Sequence, residues 1–510
     1  MARYAIVFKG TNVNTLVEKT FYMSDGLGFT SSPSATPANT FFDSVLSDNL
    51  KTRRDMFSKS TTYGAVTSGV GEISIVNNDG VYDELVLDYA TNGRELTVYY
   101  ADEEHINFPN EWQIVQISKI KIIELKENEV VVTLQDKMQL LSQPLLQSLY
   151  LGNNVLPSGT EGVKDDLKGQ RKPRVYGKVQ NITPLFVNTA RLIYQISDKP
   201  CLISKVYSRG VEWASETAYT TFAQLQDDLL EPSPEKYKVY SGSEGTYIRV
   251  GSIPAGTLTL DANTSEMRCG ELLKNIALDA GLLLSEIDTA DVAALNTLTY
   301  QCGVFVQDES IASDVMNVIA SALGAYFSFD RLGLLKFDVL SIPSITEVYT
   351  IEEDEVKSIS LLSTADTDEG IPAWRLSLKY SKNYTIQDDL SEAVSSERIA
   401  FAKEEYRVAK QENAFIKTLY PNSPEITVDT SLINEADALA ECTRRLALLQ
   451  NRFLYEIITT PSQEIIDTVD IGSDVKAYYP RYGLESGKIL KCIGILYDYS
   501  SNELTLKLWG

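Results

Sequence analysis

A single histidine, His105, stands in a chain of 510 residues. That count excludes a histidine pair, a metal site with two imidazole ligands, and a set of several imidazole general bases. Five cysteines, Cys201, Cys269, Cys302, Cys442 and Cys492, are the other soft ligands, and no CxxC occurs among them. Zinc ribbons, redox dithiols and iron–sulfur sites need clustered thiolates, so these residues read as buried, reduced, small apolar side chains. Phosphate-binding loops are absent too. Gly487-Lys488-Ile489 lacks the hydroxyl that would hold magnesium, and Gly26-Leu27-Gly28 runs into Phe29-Thr30-Ser31 without completing GxGxxG. There is no GxSxG elbow and no HExxH. Around Asn77–Asp83 the ligand spacing of a calcium loop fails, because Ile75 would fall at the first ligand position; Asp366 and Asp368 before Gly370 fail in the same way. A glycosidase needs only two carboxylates, about 5 Å or about 6.5–9.5 Å apart. The 70 acidic residues neither exclude such a pair nor point to one.

What remains is charge. Lys51, Arg53, Arg54 and Lys59 form one basic cluster, and Lys168, Arg171, Lys172 and Arg174 form another beside Pro173. Each reads either as a docking point for an acidic neighbouring subunit or as a solvated loop. They interrupt a strongly acidic background: 46 Lys and Arg against 70 Asp and Glu, a formal charge of −24. Phosphate binding needs cations to replace counterions, so this balance excludes a general nucleic-acid coat and a binder of anionic membranes. Tyr outnumbers Phe 28 to 16. An aromatic ring with a hydroxyl suits large, wet interfaces and strand surfaces equally. No cofactor is expected.

The elements that would position these groups are mostly strands. Leu96, Val98 and Tyr100 alternate with Glu95, Thr97 and Tyr99, the period of a half-buried strand. Segments 119–125 and 129–134 flank Lys126-Glu127-Asn128 as a hairpin, with Ile120 and Ile122 sharing one face and Val130, Val132 and Leu134 another. Asn77-Asn78-Asp79-Gly80 is a turn. Residues 153–173, rich in Gly, Pro and Asp, read as a surface crossing into a second β block. The period then becomes helical. Leu272, Leu273, Ile276, Ala277, Ala280, Leu283 and Leu284 form one stripe. Ile311, Val315, Met316, Ile319 and Leu323 form a second, with Asp308–Ser310 as its cap. Strand 374–380, helices near 393–403 and after Asn434, and a tail of four short strands over 474–510 complete the chain. The expected division is 1–152, a β-rich domain; 153–264, a second β-rich domain; 265–342, an α+β module; and 343–510, a β-rich domain with helices. The start MARYAIVFKGTN has too short an apolar run for a signal segment, and no run of 18 apolar residues occurs anywhere. Folding in a cytoplasm is therefore expected.

Several strings, in order, resemble the tail hub (baseplate hub) proteins of long, non-contractile-tailed bacteriophages and gene-transfer agents. They are Gly71-Glu72-Ile73-Ser74-Ile75-Val76-Asn77 with Asp79-Gly80 and Asn92-Gly93-Arg94; LKGQRKPRVYGKVQNITPLFVNTARLIYQISD from Leu167 to Asp198; Val206-Tyr207-Ser208-Arg209-Gly210-Val211; Gly324-Ala325-Tyr326-Phe327 with Phe329-Asp330-Arg331-Leu332-Gly333; Ile371-Pro372-Ala373-Trp374-Arg375 with Tyr380; Pro424-Glu425 with Val428-Asp429-Thr430; and the C-terminal Leu504-Thr505-Leu506-Lys507-Leu508-Trp509-Gly510. The likeness spans most of the chain and is weakest at its start.

The resemblance implies a mainly β, multidomain fold with two related β-barrel-like hub domains and inserted domains, one of them α+β. It implies a structural virion protein without catalysis, a homotrimer at the tail tip. Such a trimer joins a six-fold tail tube to a three-fold central fibre or tip and bounds the channel through which DNA leaves without specific binding. The implied partners are a distal tail or tube protein, a tape-measure protein and a central fibre or tip protein, with no membrane anchor and assembly in the host cytoplasm. Lys51, Arg53, Arg54, Lys168, Arg171, Lys172 and Arg174 are the candidate subunit contacts. The alternatives are a distal tail ring protein of the same tip and a tail-associated cell-wall hydrolase.

Overall fold

A computed structural model of the chain describes residues 3–48, 51–56, 63–101, 107–362, 372–450 and 453–510. The architecture is mainly β and multidomain, with α+β modules, as expected. Strands Glu18–Ser24, Arg3–Asn12, Glu95–Ala101, Gln113–Leu125, Glu129–Gln135 and Glu72–Val76 are neighbours, in that order, in a ten-stranded sheet. The alternation in Glu95–Ala101 is realised: Leu96, Val98 and Tyr100 are buried. At the other end of the chain, Asp474–Ala477, Lys488–Asp498, Glu503–Trp509, Leu454–Thr459 and Val356–Leu361 lie side by side in an eight-stranded sheet. Residues 474–510 thus form three strands, one of them long, where four short ones were expected. The chain's own two ends share one core. Ile6, Leu96, Val98 and Val132 pack in a common cluster with Ile457, Ile495, Leu504 and Leu506.

Two short strands of the first third of the chain pair elsewhere. Lys51–Asp55 adds antiparallel to Lys488–Asp498, and Gly64–Ala65 runs parallel to Ala325–Phe329. After Lys51–Asp55 the chain returns along Thr67–Val70, turns a corner at Gly71, whose N–H donates to the Lys51 carbonyl at 3.0 Å, and enters the first sheet as Glu72–Val76. One strand run therefore stitches both sheets together, the way corners are made in packed sheets.

A nine-stranded sheet holds the second β block, from Arg174–Ile182 to Leu258–Asn263, and ends on Gly303–Val306. Beside it, helices Cys269–Asp279, Thr289–Leu295 and Ala312–Ala320 cover the hairpin Ala325–Phe329/Leu335–Val339. Ala312, Val315, Met316, Ile319 and Ala320 are buried, the apolar stripe of a helix lying on a core. A smaller unit covers 372–450: Arg407–Glu412, Arg375–Tyr380 and Glu425–Asp429 form a three-stranded sheet under helix Glu435–Leu448.

Local departures from the sequence reading have local causes. The first helical stripe stops at Asp279, because Gly281 takes φ 99° and the chain leaves the helix; Leu283 and Leu284 are exposed. A register shift between Ile120 and Ile122 sends Ile122 to solvent while Ile120 stays buried; an extra residue in one strand flips the face that follows. Asp308 accepts from the Ser310 N–H at 3.0 Å, while Ile311 occupies the cap position of the next helix. Asn434 sits at its expected cap position, but its side chain donates to Asp437 at 2.9 Å.

Candidate functional site

The first basic cluster lies on the strand Lys51–Asp55. Its cations meet carboxylates of the same chain: Lys51 with Asp498 at 2.9 Å, Arg53 with Asp55 at 2.9 Å, and Arg54 with Asp470 at 2.6 Å. The second cluster behaves likewise. Arg171 pairs with Glu309 at 2.9 Å and Lys172 with Glu161 at 2.6 Å. Arg174 takes both oxygens of Asp198 and also reaches Asp279 at 2.9 Å, a bidentate arrangement that fixes geometry as well as charge. Lys168 is exposed. Of the seven residues, Lys51, Arg53 and Lys168 present themselves to solvent; Arg54, Arg171, Lys172 and Arg174 are partly covered and tie loops to the body. The first cluster lies on a strand of the eight-stranded sheet, and of the second only Arg174 lies on a strand, in the nine-stranded sheet. His105, Lys59, Asp366, Asp368 and Gly370 lie outside the described residues.

Two residues of the strings that carry the resemblance, Asn181 and Tyr207, take part in a joint between modules. Asn181 is fully buried with φ 54°. Its Nδ2 donates to Asn383 Oδ1 at 2.7 Å and to the Thr385 carbonyl at 2.6 Å, its N–H donates to Asp261 at 2.8 Å, and its Oδ1 accepts from Arg398. Arg398 lies 3.8 Å over the Tyr207 ring, and the Tyr207 hydroxyl donates to Asp261 at 3.1 Å. Burial pushes the Asp261 carboxyl and the Tyr207 phenol up. This network joins the nine-stranded sheet to the 372–450 unit. A second joint lies under helix Glu435–Leu448. Glu441, fully buried, receives Arg445 at 2.5 Å and Arg444 at 2.7 Å. Arg444 also donates to the carbonyls of Leu340 and Leu323. Asn77 acts locally: its side chain accepts from the Tyr82 N–H at 2.9 Å and donates to Asp83 at 2.8 Å, capping a turn.

Sequence reasoning did not assign Asn181, Asn383, Arg398, Asp261 or Glu441 a role. The one available signal was Asn181, a polar residue inside a strand pattern where Asn tolerates the left-handed region.

One group of exposed apolar residues lies at one end of the first sheet. The Val13 N–H donates to the Asp88 carbonyl at 2.8 Å, so the hairpin tip lies beside the short helix Glu84–Leu87. Val13, Leu16, Val17, Val86 and Leu87 are all exposed there, Leu16 at 78%. Single exposed apolar residues are ordinary, but a contiguous group marks a contact surface. All five cysteines are buried and free, and burial pushes Cys201 up to about 11 and Cys492 up to about 12. Among the described residues no group of three or more His, Cys, Asp or Glu could hold a metal ion. Among the same residues no helix is long and apolar enough to cross a membrane.

The sequence matches no family model and no curated protein. Solved structures give low-scoring likenesses. The 43 kDa tail protein of prophage MuSo2 from Shewanella oneidensis is similar over 99% of this chain and 98% of its own, at 10% identity and TM-score 0.42. A tail protein from Neisseria meningitidis is similar over 99% and 96%, at 9% identity and TM-score 0.37. A chain of a native gene-transfer-agent virion is similar over 73% and 91%, at 12% identity and TM-score 0.43. At such identities and scores these likenesses define neither a fold family nor a function.

Proposed function

We propose that this chain is a structural, non-catalytic protein of a phage-type tail, and specifically the hub at its distal tip. In this reading three copies join a six-fold tube to a three-fold fibre or tip and bound the channel through which DNA leaves. The observation that carries the reading is the single two-sheet body built from both chain ends, with the remaining modules inserted between them. The resemblance implies two related β-barrel-like hub domains with others inserted; here the two terminal β blocks share one core. The strand Lys51–Asp55, paired with Lys488–Asp498, ties the two sheets of that body together. The exposed apolar end around Leu16 and Leu87 is the surface we assign to the tube or a neighbouring subunit. Lys168, exposed, is the cation we assign to an acidic neighbour; Lys51, Arg53, Arg54, Arg171, Lys172 and Arg174 already meet carboxylates of the same chain and would act at such contacts by holding their own segments in place. A net charge of −24 suits a wall that DNA slides past, since like charge discourages adhesion.

The test is copy number. Purified tails imaged at the tip, or native mass spectrometry of the chain with its tube partner, should give three copies on a three-fold axis. Six copies would make the chain a distal tail ring protein instead. Release of peptidoglycan fragments by the purified chain would replace both readings with a cell-wall hydrolase.

A further inference from the structure

Where the nine-stranded sheet, helix Ala312–Ala320 and the 372–450 unit meet, they leave a cleft of about 360 Å³. Lys178 and Lys382 line it, with Tyr384, Tyr406, Phe305 and Asn317. In an acidic chain the expectation is that each partly buried lysine finds a carboxylate. Among the described residues these two do not. The Lys178 ammonium reaches only the Gln301 side-chain oxygen, at 3.4 Å. The Lys382 ammonium sits over two rings, 5.1 Å from the centroid of Tyr384 and 5.7 Å from that of Tyr406. The one carboxylate in the lining, Asp429, is already held by Lys379 at 3.0 Å. Among the described residues the cleft is therefore a concave site with two cations whose one lining carboxylate, Asp429, is paired with Lys379.

We propose that this cleft binds a carboxylate-bearing, partly apolar peptide segment of a partner protein. The inference stands on the lining itself and holds whether or not the chain sits in a tail. A ring face holds a cation more weakly than an ionised partner with hydrogen bonds does, so an arriving carboxylate adds to what Lys382 has and displaces nothing. The two rings order the ammonium beforehand, which lowers the entropy lost on binding. Tyr384 Oη accepts from the Phe305 N–H at 3.0 Å, which leaves its own proton free to donate to a ligand oxygen. Burial pushes that phenol up to about 12, so it stays protonated. Phe305, Val304 and Val179 supply an apolar floor. The volume lies near the lower end of the ~300–1,000 Å³ of ligand pockets and suits one or two side chains, not a folded surface. A nucleic-acid strand fits poorly, because it needs a continuous basic track and must approach a body of charge −24.

The experiment uses the full chain and an acetylated, amidated hexapeptide of alternating glutamate and phenylalanine, followed by titration calorimetry. One site per chain is expected. Replacing glutamate by glutamine in the peptide should weaken binding about tenfold or more, the scale of a lost charge-assisted hydrogen bond. Lys382→Gln and Lys178→Gln should each weaken binding of the glutamate peptide about tenfold, and Lys382→Arg should retain most of it. Lys9→Gln, on the distant first sheet, should change nothing. Unaltered thermal unfolding of the variants shows that each one folds. The proposal is overturned if no peptide binds, if the glutamine peptide binds as well as the glutamate one, if the lysine variants bind unchanged, or if a six-nucleotide oligothymidylate binds as tightly.

Discussion

Asn181 and Asn383 meet amide to amide, nitrogen to oxygen at 2.7 Å, across 202 positions of the chain. Neither is near an edge of the molecule: their exposures are 0% and 1%. Asn383 in turn donates to the Ala402 carbonyl at 2.9 Å. Two buried amides thus clamp a strand of the nine-stranded sheet to the loops of the 372–450 unit.

Removing one of them leaves the others unsatisfied out of reach of water. Asn181→Ala should cost about 2–4 kcal/mol, combining lost hydrogen bonds with an alanine forced into the left-handed region. Urea unfolding measures the loss. Limited proteolysis should show the 372–450 unit cut first, since its link to the sheet is weakened. Uniform protection in the variant would mean that the clamp is redundant.

The ion cluster on Glu441 should be more sensitive still. Glu441→Ala leaves Arg445 buried without its carboxylate, and breaking a buried pair in this way costs roughly 3–5 kcal/mol. Calorimetric melting of the variant against the parent reads this directly. An unchanged melting temperature would show that the cluster contributes nothing net.

Gly177 takes φ 69°, and a methyl group there would stand 2.1 Å from the Cys302 carbonyl oxygen. Gly177→Ala should therefore destabilise by about 3 kcal/mol or more, because backbone must move. Gly69→Ala meets nothing within 4 Å and should lie within about 1 kcal/mol of the parent. Similar denaturation midpoints for the two variants would contradict this contact.

Alkali should weaken the fold. Burial holds the Cys201 and Cys492 thiols at about 11 and about 12, while an unfolded thiol titrates near about 8.5. Above that value the folded chain keeps protons that the unfolded chain has lost, so stability falls as pH rises through the window. Buried phenols such as Tyr384, pushed up to about 12, act in the same direction from about pH 10 upward. The urea midpoint should drop between about pH 8 and about pH 10. All five thiols should resist iodoacetamide in the native chain and react once it unfolds. Rapid native labelling would show that the cysteines are open to solvent.

Period-two and helical stripes belong to single segments, and the amino-acid sequence determines them. Leu96, Val98 and Tyr100 face one way because side chains alternate on a strand, and Val315, Met316 and Ile319 share a face because a helix repeats every 3.6 residues. Counting determined as much: one histidine and scattered cysteines leave few chemistries. The joints were not legible, because each is made by residues far apart in the chain whose partners no local pattern names. Lys51, Arg53 and Arg54 read as a docking point or a solvated loop; the tertiary structure pairs Lys51 with Asp498, on the neighbouring strand, and Arg54 with Asp470. Ile122 read as sharing a face with Ile120 until a register shift turned it outward. Lys178 and Lys382 lie 204 positions apart, and they come to line one cleft only where three modules close around it. Folding chose those neighbours because burying apolar faces fixes the packing of the sheets, and the polar groups carried along at their seams must then find partners in whatever lies opposite.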